Sequence, residues 1–305
     1  MPEILAYYQT FQPLSKTILR AVDRLIVSSV HFNLPSTVHL NDDPLASAVF
    51  DKVFALPAAT SIMLGGAGGG FRQLFSSPEA YQGFVAQLKK TLADRCPRIS
   101  EVVLDVEEPG TSAENLNELI SDLSPEFSIA MSPCAFALTG GGTGLGGFNY
   151  RDIRGCSRFY VQAYDSSSFN ARTLKLIRES WPDQEIVMGC LSSTADDPAQ
   201  LLRVTEDMPS VVVWDVGTDQ GQQWARIMTQ GRQLETWSRR ARGGLTRFEA
   251  KKMIARFWSR ARNAASEKTF GYWRIPSAVS RRILEYLLPL ALTRSSRGLR
   301  RSRLS

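Results

Sequence analysis

Eight short apolar runs, rich in Val, Ile, Leu, Tyr and Phe, recur along residues 1–238, with helix-like stretches between them. They fall at residues 4–11, 25–32, 61–64, 101–107, 127–132, 158–164, 185–190 and 210–216. Most are nearly continuous rather than alternating, as expected of strands in a parallel sheet whose two faces are both covered. The intervening segments 43–56, 78–95, 112–122, 171–180, 198–207 and 221–237 read as helices, with Ser77, Ser112 and Asp196 or Asp197 as N-caps. Eight strands alternating with helices predict an α/β chain folded as a (β/α)8 TIM barrel. The competing arrangement, a doubly wound open sheet, calls for a glycine fingerprint after its first strand, where this chain reads QTFQPLSKT.

Charge divides the chain in two. Residues 239–305 hold 18 of the 36 Lys and Arg but only 3 of the 30 Asp and Glu, a net +15 that leaves −9 for residues 1–238. The domains predicted are therefore a barrel over 1–238 and a basic, partly helical C-terminal extension over 239–305. In the extension, Met253, Ile254, Phe257, Trp258 and Ala261 gather on one helical face, flanked by Lys and Arg. A second amphipathic piece runs over 279–288, and the chain closes on TRSSRGLRRSRLS. The two helices either pack on the barrel or meet an anionic partner, a nucleic acid or an acidic membrane surface.

Composition also excludes. Two histidines, His31 and His39, leave no basis for a multi-histidine metal centre. Cys96, Cys134, Cys156 and Cys190 contain no C-x-x-C pair and read as buried free thiols. No metal and no organic cofactor is expected. The N-terminus lacks a basic region followed by a long apolar one, and the longest apolar stretch of the extension, 283–292, is broken by Glu285 and Pro289. That is too short for the roughly 20 residues of a membrane span, so the expected location is cytoplasmic.

In a barrel of this kind, chemistry sits at the C-terminal ends of the strands. The fourth strand ends in EVVLDVEEPG, and strand alternation places Glu101, Val103, Asp105 and Glu107 on one face. Asp105 and Glu107 would then project together into the mouth, where neighbouring carboxylates push one pKa upward and suit it to general-acid work. They can equally be two solvated acids. The sixth strand offers Gln162 and Tyr164, followed by Asp165, and the first offers Tyr7. Trp214 on the eighth strand reads either as a platform for a sugar ring or as core. Gly65 and Gly66 close the third strand, where they let the backbone turn sharply or approach a ligand. The glycine run at 139–147 reads as a mobile loop above the mouth.

Together these residues resemble the family 18 glycoside hydrolases, the chitinase-like barrels, over roughly residues 4–238. That family carries D-x-x-D-x-D-x-E on the fourth strand. Its terminal Glu falls on Glu107 and the preceding Asp on Asp105, whereas the first two Asp positions hold Ser100 and Val103. Moving the motif to Glu108 would place Val106 at the Asp position. The third-strand glycine pair is similar to Gly65 and Gly66, the sixth-strand M/Q-x-Y-D/N to Gln162, Tyr164 and Asp165, and the eighth-strand Trp to Trp214. The resemblance implies hydrolysis of β-linked N-acetylglucosamine by substrate assistance. Glu107 would be the acid, Asp105 and Tyr164 would hold the 2-acetamido group, and Trp214, Gln162, Asp165, Gly65, Gly66 and Tyr7 would bind substrate. The alternatives are an inactive sugar-binding protein of the same fold, and a scaffold barrel whose tail at 239–305 does the binding.

Overall fold

Strands that are apolar on both faces must be covered twice, and closure into a ring wrapped by helices meets that demand. The computed structural model describes residues 3–9, 15–33, 37–40, 52–66, 70–165, 168–191, 208, 210–214, 216, 221, 222, 225 and 229. The strands are β1 (Glu3–Gln9), β2 (Arg24–Asn33), β3 (Thr37–Leu40), β4 (Ala59–Gly65), β5 (Glu101–Asp105), β6 (Ser128–Met131), β7 (Arg158–Gln162), β8 (Glu185–Leu191) and β9 (Ser210–Trp214). Eight of them run parallel in the order β1-β9-β8-β7-β6-β5-β4-β2, and β1 also pairs with β2, which closes a (β/α)8 barrel. The addition to the expected pattern is β3, antiparallel to β2, which sets His31 opposite His39 in the backbone register.

The described helices are α1 (Lys16–Ala21), α2 (Phe71–Leu74), α3 (Pro78–Arg95), α4 (Ala113–Leu123), α5 (Ala135–Thr139) and α6 (Ala171–Ser180). The three longest stand where periodicity placed them, and α1, α2 and α5 are short elements the sequence did not signal. Ser77 Oγ accepts from Ala80 N–H at 3.1 Å and Ser112 Oγ from Asn115 N–H at 3.1 Å, as N-caps do, each typically contributing about 1 kcal/mol. Pro78 takes the first helical position, where a missing N–H costs nothing. Of the expected helix 43–56 only 52–56 are described, and 52–54 are helical. The expected helix 198–207, nearly all of 221–237, Asp196, Asp197, Asp215 and the extension 239–305 lie outside the described residues. Among the described residues, no helix is long and apolar enough to cross a membrane.

Strand alternation builds two cores. Outward residues such as Val102, Leu104, Ile129, Val161 and Val213 join Leu88, Leu92, Leu116, Leu119, Leu174 and Ile177 of the helices. Inward residues fill the barrel: Leu5, Tyr7, Ile26, Met63, Val103, Ala130, Tyr160, Val187 and Val212, with Trp214 packed against them. Below this apolar layer, the N-terminal end of the barrel is stoppered by charge. Glu101, 4% exposed, meets Arg158 at 2.6 Å and Arg24 at 3.3 Å and accepts hydrogen bonds from Ser61 Oγ (2.7 Å) and the Tyr160 hydroxyl (2.8 Å). Arg158 also reaches Glu185 at 2.6 Å. A buried carboxylate needs such compensation, and here two guanidiniums and two hydroxyls provide it.

The glycine run after β6 is a correction. Instead of a free loop, the segment is pinned: Gly142 N–H donates to Ala137 O at 2.7 Å, Tyr150 N–H to Gly142 O at 2.9 Å, and Thr143 bridges Asn149. A Cβ at Gly146 would come within 2.5 Å of the Phe148 ring and 3.0 Å of Val106, so glycine here permits close packing onto the segment that carries Glu107.

Candidate active site

The parallel register brings the C-terminal ends of β1, β4, β5, β7 and β9 to one mouth. β5 ends at Asp105, which is 4% exposed, and the chain continues through buried Val106 to half-buried Glu107. Gly65 is the register partner of Asp105, and Gly66 N–H donates to Asp105 O at 2.8 Å. Both glycines have positive φ, +93° and +97°, so the strand end turns in a way that side chains resist. At Gly65 there is no room at all: a Cβ would lie 2.3 Å from the Phe71 ring and 2.4 Å from Asp105 O. Gly66 faces the Asp105 carboxylate, and a Cβ there would stand 3.7 Å from Oδ2. The pair therefore shapes the wall beside Asp105.

Asp105 and Glu107 are brought together as the spacing predicted, and one side chain bridges them. Gln162 Nε2 donates to Asp105 Oδ1 at 2.8 Å and lies 3.4 Å from Glu107 Oε1. The same nitrogen is 3.0 Å from Ser132 O and 3.3 Å from Ser132 Oγ. Ser132 Oγ in turn is 3.1 Å from the Tyr7 hydroxyl. Burial, with the Glu107 charge adding to it, holds the Asp105 carboxyl well above the usual carboxylate range against the opposing pull of the Gln162 amide.

Aromatic rings line the space above. Tyr7 and Trp214 meet edge to face with centroids 5.0 Å apart, and Tyr164 lies 6.2 Å from Trp214, tilted by 33°. Trp214 is half-buried, with one side on the barrel interior. Burial first, then the nearby Tyr7, Asp105 and Glu107, raises the Tyr164 phenol well above its ordinary value, so it stays a hydrogen-bond donor throughout the neutral range. A mouth that pairs two carboxylates with apolar rings and protonated phenols can seat a neutral ring-shaped ligand, deliver a proton to it and stabilise a cation formed on it.

One expected site residue is not brought to this group. Asp165 is exposed, and its carboxylate caps its own loop, accepting from Ser168 N–H (2.8 Å) and Ser168 Oγ–H (2.6 Å). Two residues that sequence reasoning passed over do belong. One is Ser132. The other is Cys134, expected to be a buried structural thiol but half-buried at the mouth, with Sγ 3.6 Å from Gln162 Oε1. Burial, with Glu107 and Asp105 contributing, pushes its thiol up to about 11. Both follow β6 directly, which in a barrel was the available signal. Cys96, Cys156 and Cys190 are buried. Among the described residues, no group of three or more His, Cys, Asp or Glu is placed to hold a metal ion.

No protein-family model matches the chain, and no curated protein matches it by sequence. Solved structures do share its fold. A mutant GH18 chitinase from Cycas revoluta in complex with (GlcNAc)4 matches with a TM-score of 0.56 at 14% identity, covering 75% of this chain and 99% of that one. A chitinase from Bacteroides thetaiotaomicron gives 0.54 at 11% identity, covering 76% and 96%. A chitinase A homologue from Streptomyces coelicolor gives 0.52 at 16% identity, covering 75% and 97%. The chain thus has the GH18 chitinase-like (β/α)8 fold.

Proposed function

We propose that this chitinase-like barrel is a glycoside hydrolase that cleaves β-linked N-acetylglucosamine by substrate assistance. The observation that carries the reading is the pair Asp105 and Glu107, bridged by one amide beneath the rings of Tyr7, Tyr164 and Trp214. Trp214 is the floor for the sugar. Glu107, the more exposed acid, protonates the departing glycosidic oxygen while the substrate's own 2-acetamido oxygen attacks the anomeric carbon. The Tyr164 hydroxyl, which makes no hydrogen bond to the protein among the described residues, holds that acetamido oxygen in attack geometry. Asp105 faces the acetamido nitrogen, and the positive charge developing there offsets the burial that otherwise opposes its ionised form. Glu107, now a carboxylate, draws a proton from water, which opens the cyclic oxazolinium intermediate and restores the acid. A substrate without the N-acetyl group lacks the nucleophile and is not cleaved. Turnover of a chromogenic chito-oligosaccharide by the full chain, lost in Glu107→Gln, tests the assignment.

A second reading, an inactive sugar-binding protein, is favoured by Val103, which is fully buried in the apolar interior where the resemblance calls for an aspartate. Oligosaccharide binding without turnover in the wild type would decide for it. We also propose that residues 239–305 form a separate basic segment that binds polyanions, from its net charge of +15. Deleting it should remove salt-sensitive binding to nucleic acid or anionic vesicles; equal binding by the truncated chain rejects that role.

A further inference from the structure

We infer that Gln162 is the positioning residue of this site. Its side-chain amide, oriented by Cys134, holds Asp105 and Glu107 in place where Val103 supplies no carboxylate, and its N–H donors are not free to bind a sugar. The inference rests on the glycosidase reading for its kinetic consequence, but its geometry does not.

An amide nitrogen carries two hydrogens, and four acceptors crowd this one: Asp105 Oδ1 at 2.8 Å, Ser132 O at 3.0 Å, Ser132 Oγ at 3.3 Å and Glu107 Oε1 at 3.4 Å. Neither N–H is left over for a ligand. The orientation follows from chemistry. Turning the amide over would set its carbonyl oxygen against two carboxylates and a backbone carbonyl, and would set its NH2 against the Cys134 thiol. As it stands, the thiol donates to Oε1 at 3.6 Å. The stem is fixed as well, since Gln162 N–H donates to Pro133 O at 2.8 Å and the backbone bridges Cys134.

The need for such a clamp is visible on β5. Beneath Asp105 the same strand face offers Val103, fully buried beside Met63, Ala130 and Val212, so no partner comes from below. The partner comes sideways instead, from β7. Among the described residues, the charged and titratable groups facing Asp105 are Glu107 on its own segment, Tyr7 from β1, Tyr164 beyond β7, Cys134 beyond β6 and Tyr150 from the segment between β6 and β7. Of these elements β7 alone sends a neutral N–H donor to the carboxylate. Gln162 therefore fixes which oxygen of Asp105 is held and which is left toward the substrate, and it ties Glu107 to the same point.

The test is Gln162→Met in the full chain, a side chain of similar size with no donor, with folding checked by circular dichroism. The Asp105 carboxyl is followed by carbon NMR on aspartate-labelled protein, assigned through Asp105→Asn. Loss of the donor should move the Asp105 titration to higher pH. On a chito-oligosaccharide, kcat should fall by roughly ten- to a hundredfold, the scale of a small misplacement of reacting groups, with KM changed by less than about twofold. An unmoved Asp105 titration overturns the proposal, as does a large rise in KM at unchanged kcat, which would mark Gln162 as a substrate contact. If the wild type itself does not turn over, the glycosidase reading fails and the NMR result alone decides. Should Gln162→Met not fold, Cys134→Ala frees the amide and should raise the Asp105 midpoint by a smaller amount; no shift in that folded variant equally overturns the clamp.

Discussion

Gly65 and Gly66 offer a direct test of how the wall beside Asp105 is built. Both have positive φ, so alanine at either must accept a backbone conformation that costs about 1–3 kcal/mol. Their surroundings differ. At Gly66 the new methyl would stand 3.7 Å from Asp105 Oδ2 and 3.9 Å from Met63 Cε, ordinary contact distances. At Gly65 it would sit 2.3 Å from the Phe71 ring and 2.4 Å from Asp105 O, and the second of these is backbone, which cannot swing aside. Overpacking of that kind adds about 1–3 kcal/mol. Gly65→Ala should therefore destabilise by about 2–6 kcal/mol in total, and Gly66→Ala by about 1–3 kcal/mol. Urea unfolding followed by circular dichroism gives both values from the shift in midpoint at constant slope. Because the clash falls on the residue that carries the carboxylate, Gly65→Ala should also lose more chito-oligosaccharide turnover per unit of lost stability. Equal destabilisation by the two variants, or a larger effect at Gly66, would refute the packing argument.

Two further outcomes follow from buried charge. Glu101→Gln leaves Arg24 and Arg158 facing each other across the barrel floor without their shared carboxylate. It should cost about 3 kcal/mol in urea unfolding, the low end for a broken buried pair because both guanidiniums reach solvent; a cost under about 1 kcal/mol would show that the floor is not held by charge. Asp105 has a folded-state pKa raised above its unfolded value, so the stability it contributes is full below the ordinary aspartate range and is lost as pH rises through the raised value. Stability measured across that interval should fall with pH in the wild type and lose that component in Asp105→Asn; identical pH profiles would contradict the burial argument.

The parts of the fold that were legible in the sequence share a physical cause. Strands such as β5 and β9 are buried on both faces, so they appear as unbroken apolar runs, and α3 announces itself through Ser77 and Pro78. Short elements such as β3 and α5 span too few residues to establish a period. At the site, strand alternation correctly turned Asp105, Gln162 and Trp214 inward. It could not tell that Gln162 spends its amide on protein acceptors, because that depends on Ser132 and Asp105 arriving from neighbouring strands. Asp165 misled for a local reason. A hydroxyl residue three positions on, Ser168, lets the carboxylate cap its own turn, and a motif match weighs identity rather than such competition. The glycines of 139–147 misled in the opposite sense, since a missing side chain permits close packing as readily as motion.

The charged stopper at the barrel floor has a bearing on the site it never touches. Glu101 and Asp105 are four residues apart on one strand, which at the usual rise per residue separates them by about 13 Å. Across that span a lone carboxylate, at an effective dielectric constant near 20, would oppose ionisation of Asp105 by about 1.3 kcal/mol, roughly one pH unit. Arg24 and Arg158 offset the charges of Glu101 and Glu185, so little of a lone carboxylate's field reaches Asp105. The arginines thus act as an electrical ground beneath the apolar layer. Protonation of Asp105 is governed from the mouth, by Glu107 and by what binds there, rather than from the foundation of the barrel.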